Sequence, residues 1–212
     1  MSELSNKNPE LILASASPRR RELLQQIGVA CRVKPVDIAE VHQPGESPAM
    51  FVERLAREKA CAGLAVADSD AVVLGADTVV VCHGDILGKP TDREDAISML
   101  QQLSGSEHQV MTAVAVTNKE RIRCLVVTTD VRFKTLTTAQ CEQYWETGEP
   151  CDKAGAYGIQ GLGAVFVAAI KGSYSAVVGL PLTETANLLA AFDIPVWQTL
   201  VLTAEDDDTS AS

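Results

Sequence analysis

Apolar positions along this chain fall into two patterns, short continuous runs and stripes at helical spacing. Leu11-Ile12-Leu13-Ala14 is a run of the kind a buried strand needs, and Ser17-Pro18 follows it. Serine suits an N-cap and proline the first helical position, where a missing N–H costs nothing. The helix predicted from Pro18 turns Leu23, Leu24 and Ile27 to the core and ends at Gly28. Val29 to Val36 reads as a second strand and Asp37 to Glu46 as a loop. Phe51, Leu55, Ala56, Ala60 and Leu64 then recur at helical spacing, which predicts a long helix from Ser47-Pro48 through Val66. Two near-continuous apolar runs follow, Ala71 to Ala76 and Thr78 to Cys82, interrupted by one carboxylate, Asp77. His83-Gly84-Asp85 turns the chain into Ile86-Leu87.

Thr91-Asp92-Arg93-Glu94 has the spacing of a capping box and opens a helix that ends near Gly105. His108 to Thr117 and Arg121 to Phe133 flank the turn Asn118-Lys119-Glu120 and predict a long hairpin. A helix from Thr137 to about Thr147 comes next, with Gly148 beyond it, and then a glycine-rich loop from Ala154 to Gly163. Ala164 to Ile170 and Ser173 to Val178 read as two strands around Lys171-Gly172, and Pro181 to Phe192 as a last amphipathic helix. With no internal repeat and no low-complexity linker, the pattern predicts one mixed α/β domain over residues 10–203, in one or two lobes around a cleft. A polar N-terminal extension (residues 1–9) and an acidic, disordered tail (residues 204–212) flank it.

Composition narrows the function classes. The 212 residues are 46% hydrophobic, enough for a sizeable core. No stretch approaches the roughly 20 apolar residues of a membrane span, and residues 1–8 are polar, so a cytoplasmic protein without a membrane partner is expected. Six cysteines are scattered without a CxxC pair, and His42, His83 and His108 lack ligand spacing. Neither disulfides nor a thiolate or histidine metal site is implied. A net charge of −10 argues against polymeric nucleic acid. Residues 1–60, however, hold 9 of the 18 Lys+Arg against 8 Asp+Glu, a local cationic focus that suits a small anion.

That focus includes Arg19, Arg20 and Arg21 on the first turn of the first helix. Free backbone N–H groups, the positive end of the helix dipole and guanidinium forks together make a phosphate site. A solvated basic turn on an ordinary helix fits the same residues. Asp77, inside an apolar strand, must meet a cation, a hydrogen-bond network or a metal if it is buried. Together with Glu40, in the loop after the second strand, it could offer hard oxygen ligands to Mg²⁺, which binds through one or two carboxylates plus substrate phosphates. Lys59 alone reads as part of a solvated helix face. Lys89, in Gly88-Lys89-Pro90, is one residue short of a Walker loop and has proline where Ser/Thr is required, so that motif is rejected. Gly158, Gly161 and Gly163 do not make a dinucleotide fingerprint; a tight loop that lets backbone approach a ligand explains them better. Gln160 within it has the donor and acceptor needed to read a base edge, and Asp152-Lys153 could be only a surface ion pair.

Taken together, Ser15-Ala16-Ser17-Pro18-Arg19-Arg20, Arg57-Glu58-Lys59-Ala60, Gly75-Ala76-Asp77-Thr78, Lys89-Pro90 and Asp152 through Gly161 resemble the Maf nucleotide pyrophosphatases, in order, from about residue 10 to residue 190. The resemblance implies an α/β fold similar to that of inosine triphosphate pyrophosphatases, with two lobes around a cleft, a homodimer, and a divalent cation, Mg²⁺ or Mn²⁺. It implies hydrolysis of nucleoside triphosphates to the monophosphate and pyrophosphate, and a connection with arrest of septum formation. Arg19, Thr78 and Gln160 match the branch acting on dTTP and UTP; the branch acting on 7-methyl-GTP has Trp, Gln and Glu there. On this reading Asp77 is the proton acceptor for water attack on the α-phosphorus, and the metal is held by Glu40, Asp77 or both. Ser17, Arg20, Lys59 and Lys89 complete the substrate site, and Thr78 and Gln160 read the pyrimidine. Two other readings stay open: a nucleotide-sensing regulator of division acting through a partner, and an enzyme that removes modified pyrimidine nucleotides.

Overall fold

The computed structural model describes residues 9–67 and 70–198. The acidic tail, and the N-terminal extension apart from Pro9, lie outside the described residues. The elements run β1 (Leu11–Leu13), α1 (Pro18–Gln26), β2 (Arg32–Val33), α2 (Pro48–Ala65), β3 (Val72–Cys82), β4 (Asp85–Leu87), α3 (Arg93–Leu103), β5 (Glu107–Thr117) and β6 (Ile122–Phe133). They end with α4 (Thr138–Trp145), β7 (Val167–Lys171), α5 (Tyr174–Val178) and α6 (Leu182–Ala190). All seven strands form one mixed sheet in the order β2-β1-β3-β5-β6-β7, with β4 also paired to β3. The mixed α/β class expected from the pattern is therefore what the chain adopts.

The central strand β3 forks the sheet. On one edge it pairs antiparallel with β5 in unbroken register from Val73↔Thr117 to Val81↔Gln109. On the other edge, β1 runs parallel beside residues 72–74 and β4 antiparallel beside residues 80–82. Between them, Gly75 to Val79 have no strand partner on that edge. One face of the sheet carries a separate apolar core on each side of this gap. Leu74 and Ala76 pack with Leu24 of α1 and Leu188 and Leu189 of α6, whereas Val80 and Cys82 pack with Leu100 and Leu103 of α3 and Cys141 of α4. The opposite face lies under α2, where Phe51, Val52, Leu55 and Ala56 meet Val79 and Val81.

Four local expectations are corrected. Asp77 does not interrupt β3, which passes through it as a single strand. Val29 to Val36 contributes only Arg32–Val33 as strand. The helix after Pro90 is capped one residue later than expected, by Asp92, whose carboxylate accepts from Asp95 N at 2.8 Å. A full capping box occurs instead at Thr137 and Gln140. Ser173 to Val178 is helix α5 and not a strand, because the Ser173 hydroxyl caps Ala176 N and Thr129 clamps the Ser173 backbone from β6. Two valines with β preference are overridden by this cap and by the positive φ of Gly179 that ends the turn.

Candidate active site

The chain leaves β1 through Ser15-Ala16-Ser17 and leaves β4 through Gly88-Lys89. These two exits approach Asp77 and Thr78 from opposite ends of the open edge of β3, a consequence of one neighbour being parallel and the other antiparallel. Ligands of α/β sheets bind at strand ends of this kind. A cleft of about 1020 Å³ opens over the gap, and Ser17, Arg19, Arg20, Glu40, Lys59, Asp77, Thr78, Lys89 and Gln160 all line it. Every site residue named from the sequence is thus brought to one cavity, large enough for a nucleotide.

Asp77 projects from the α2 face of β3 and is 7% exposed. Gly75, two residues earlier and so on the same face, is what lets α2 reach it: a Cβ there would lie 2.4 Å from Ala56 O and 2.5 Å from Ala60 N. With the helix backbone against the strand, Lys59 extends into the cleft and donates to Asp77 Oδ1 at 2.7 Å. The same ammonium meets Glu40 Oε1 at 2.6 Å. The lysine that looked solvated in the sequence is buried and joins the two carboxylates. Arg54 grips Glu46 at 2.7 and 2.9 Å and donates to Val41 O at 2.9 Å, fixing to α2 the loop that carries Glu40. The Arg54 hydrogen bonds pull Glu46 down to about 2.

Electrostatics distinguish the two carboxylates. Burial pushes Asp77 above the ordinary aspartate value, although Lys59 and Arg20 pull the other way. Burial also opposes ionisation of Glu40, but there the Lys59 hydrogen bond and charge, with Lys89 and Arg20, win and hold it below the ordinary glutamate value. Asp77 is therefore the more basic of the pair. Two hard carboxylate oxygens that converge on one cation fit Mg²⁺ or Mn²⁺, which complete their shells with phosphate oxygens and water. Among the described residues there is no cluster of three or more acidic, histidine or cysteine side chains around a metal position.

The opposite face of β3 carries the arginine of the first helix. Arg20 is buried, and its guanidinium donates to Gly179 O at 3.0 Å, Ser15 Oγ at 3.0 Å and Thr78 Oγ1 at 3.2 Å. All three acceptors are neutral, and burial lowers its pKa, partly offset by Asp77. A buried cation with neutral hydrogen-bond partners favours an anion brought in from solvent. Ser17 occupies the N-cap position of α1, but its side chain makes no cap; Ser15 Oγ accepts from Ser17 N instead, which leaves the Ser17 hydroxyl for the cleft. Arg19 bonds Asp152 Oδ2 at 3.2 Å and so ties α1 to the glycine-rich segment. Arg21 is exposed and does not line the cleft.

The glycine-rich segment differs from its sequence reading. Its backbone wraps a carboxylate of the protein itself. Glu149 accepts from Tyr144 Oη at 2.6 Å, Leu162 N at 2.8 Å and Gly163 N at 3.0 Å, and Tyr144 Oη accepts from Gly158 N. A Cβ on Gly161 would lie 2.2 Å from Glu149 Oε2, and one on Gly163 2.6 Å from Tyr144 Oη. Gln160 rides on the exposed tip of this buckle. Asp152-Lys153 is more than a surface pair, since Lys153 also donates to Glu149 O at 2.7 Å. Glu149 gave no sequence signal, because its backbone partners lie 13 and 14 residues downstream in a loop without periodicity.

The family model "Maf-like protein" matches residues 10–192 of the chain. A dTTP/UTP pyrophosphatase of Saccharophagus degradans is 55% identical over 198 residues, covering 92% of this chain and 94% of that protein. Proteins of the same name from Vibrio parahaemolyticus and Vibrio cholerae are 57% and 56% identical, covering 88% and 86% of this chain and 98% of each relative. Among solved structures, the Ham1 protein of Staphylococcus aureus aligns with TM-score 0.42 and 13% identity over 58% of this chain and 71% of that one.

Proposed function

The chain belongs to the Maf family, and from that premise we propose that it hydrolyses dTTP and UTP to the nucleoside monophosphate and pyrophosphate by water attack on the α-phosphorus. The observation that carries the proposal is the cleft itself, lined both by a buried arginine whose three hydrogen bonds among the described residues go to neutral acceptors and by a carboxylate held by lysine. Its relatives named dTTP/UTP pyrophosphatase support the substrate.

In this scheme the triphosphate enters along the open edge of β3. Arg19, Arg20, Lys59 and Lys89 neutralise its oxygens, the dominant contribution in phosphoryl chemistry. Asp77 takes the proton of the attacking water, a role helped by its raised pKa. The water oxygen bonds to the α-phosphorus, the bridging bond to the β-phosphate breaks, and pyrophosphate leaves. Glu40 and Asp77 would hold a divalent cation, which supplies further neutralisation of charge on the phosphate oxygens. Lys59 keeps those two carboxylates together until then. Gln160 offers a donor and an acceptor to the pyrimidine edge, and Ser17 a hydroxyl at the start of α1. A homodimeric state, a cytoplasmic location and a part in division arrest belong to the same reading. Among the described residues no helix is long and apolar enough to cross a membrane.

A panel of nucleoside triphosphates with Mg²⁺ or Mn²⁺ tests the proposal by following pyrophosphate release. Turnover of dTTP and UTP well above that of 7-methyl-GTP is expected. A purine-preferring profile would overturn the substrate assignment, and tight nucleotide binding without pyrophosphate release would favour a sensing role.

A further inference from the structure

Behind the buried arginine lies a chain of hydroxyls whose direction is fixed by its far end. Thr112 of β5 stands directly opposite Thr78 of β3 in the ladder. Its Oγ1 donates to Ala176 O of α5 at 2.7 Å. A carbonyl oxygen can only accept, so the single hydroxyl proton of Thr112 is committed there. In the 3.0 Å contact between Thr112 Oγ1 and Thr78 Oγ1, Thr112 must therefore accept and Thr78 must donate. The Thr78 proton is committed in turn, and Thr78 meets Arg20 Nη2 as an acceptor at 3.2 Å. The polarity runs Arg20 to Thr78 to Thr112 to Ala176 without an alternative.

Two consequences follow for the site. Thr78 has no proton left to donate to a pyrimidine. Without Thr112 to receive that proton, the Thr78 hydroxyl loses the partner that fixes its rotor, and its lone pair is no longer held on the guanidinium. Thr112 is fully buried and does not line the cleft, so it touches no ligand itself.

We propose that Thr112 is a positioning residue for Arg20, acting through the Thr78 hydroxyl that stands between them. The proposal rests on the reading of Arg20 as a triphosphate ligand. Its signature is coupling: Thr112 matters only while Arg20 is present.

The test is a double-mutant cycle read by calorimetric binding of α,β-imido-dTTP, a non-hydrolysable analogue, with folding of each variant checked by thermal melting. Thr112→Val keeps shape and removes the hydroxyl; Thr112→Ser keeps the hydroxyl. Thr112→Val should weaken binding by about 5- to 20-fold and Thr112→Ser by less than about twofold. In an Arg20→Gln background, itself weakened, Thr112→Val should change affinity by less than about twofold. An equal loss in both backgrounds, or no loss with Arg20 intact, would overturn the proposal. Wild-type affinity in Arg20→Gln would instead overturn the phosphate reading of Arg20, and this proposal with it. Should Thr112→Val fail to fold, Thr112→Cys, a weak donor of similar size, carries the same cycle with the same criteria.

Discussion

Gly75→Ala is the most searching single change, because it acts on no charged group and yet should disable the site. The added Cβ would stand 2.4 Å from Ala56 O, 2.5 Å from Ala60 N and 3.0 Å from Ala60 Cα, where ordinary contact begins near 3.4 Å. All three are backbone atoms of α2, so no side-chain rotation relieves the clash, and the helix must withdraw from β3 by about 1 Å. Overpacking of this kind costs about 1–3 kcal/mol. For a chain of this size, that lowers Tm by about 2–4 °C per kcal/mol. The functional loss should be larger. Lys59, one residue before Ala60, moves with the helix, and its 2.7 Å contact with Asp77 opens. A misplacement of about 1 Å in a catalytic array costs roughly 100-fold in rate. Thermal melting and steady-state release of pyrophosphate from dTTP measure both quantities. Gly88→Ala, whose Cβ meets nothing within 4 Å, is the stability control and should melt like the wild type. If Gly75→Ala melts and turns over as the wild type does, the argument that α2 is seated by this glycine fails.

Asp77→Asn should abolish turnover while dTTP binding stays measurable by calorimetry; near-normal activity would refute its role as proton acceptor. Glu149→Gln presents an amide N–H₂ to the Leu162 or Gly163 N–H, costs about 1–3 kcal/mol of buckle stability, and should speed amide hydrogen exchange over residues 158–163 while raising KM for dTTP more than it lowers kcat. An unchanged exchange pattern would contradict the buckle. His108 is buried with its Nδ1 unpartnered, and burial lowers its pKa to about 4 from 6.5. Because the folded value is depressed, the stability it supplies is present in full above pH 6.5 and lost as pH falls toward 4. At about 1.4 kcal/mol per pH unit the loss reaches roughly 3 kcal/mol. Denaturant unfolding of wild type and His108→Leu across that window should show the slope flatten in the variant; equal slopes would refute it.

Local pattern carried much of this molecule. The stripe of Phe51, Leu55, Ala56 and Ala60 marked α2, and the turn at 118–120 marked the β5–β6 hairpin, because both follow from spacing alone. Asp77 stood out because a carboxylate in an apolar strand demands a partner. Its partner did not, since Lys59 becomes buried only through the contact of α2 with Gly75, which no property of residues 57–59 announces. Glu149, Tyr144 and Thr112 were invisible for the same reason: each acts on backbone or hydroxyls brought beside it by the fold. Helix α5 was missed because valine preference outweighed a serine cap when the clamp from Thr129 could not be seen. That miss hid Ala176 O and Gly179 O, the acceptors that end the Thr112 chain and hold Arg20.

Water attack on the α-phosphorus, assisted by Asp77, is tested most directly by hydrolysing dTTP in ¹⁸O-labelled water and locating the label by mass spectrometry. The label should appear in dTMP, with the released pyrophosphate unlabelled. Label in pyrophosphate or in orthophosphate would place the attack at another phosphorus and contradict the account.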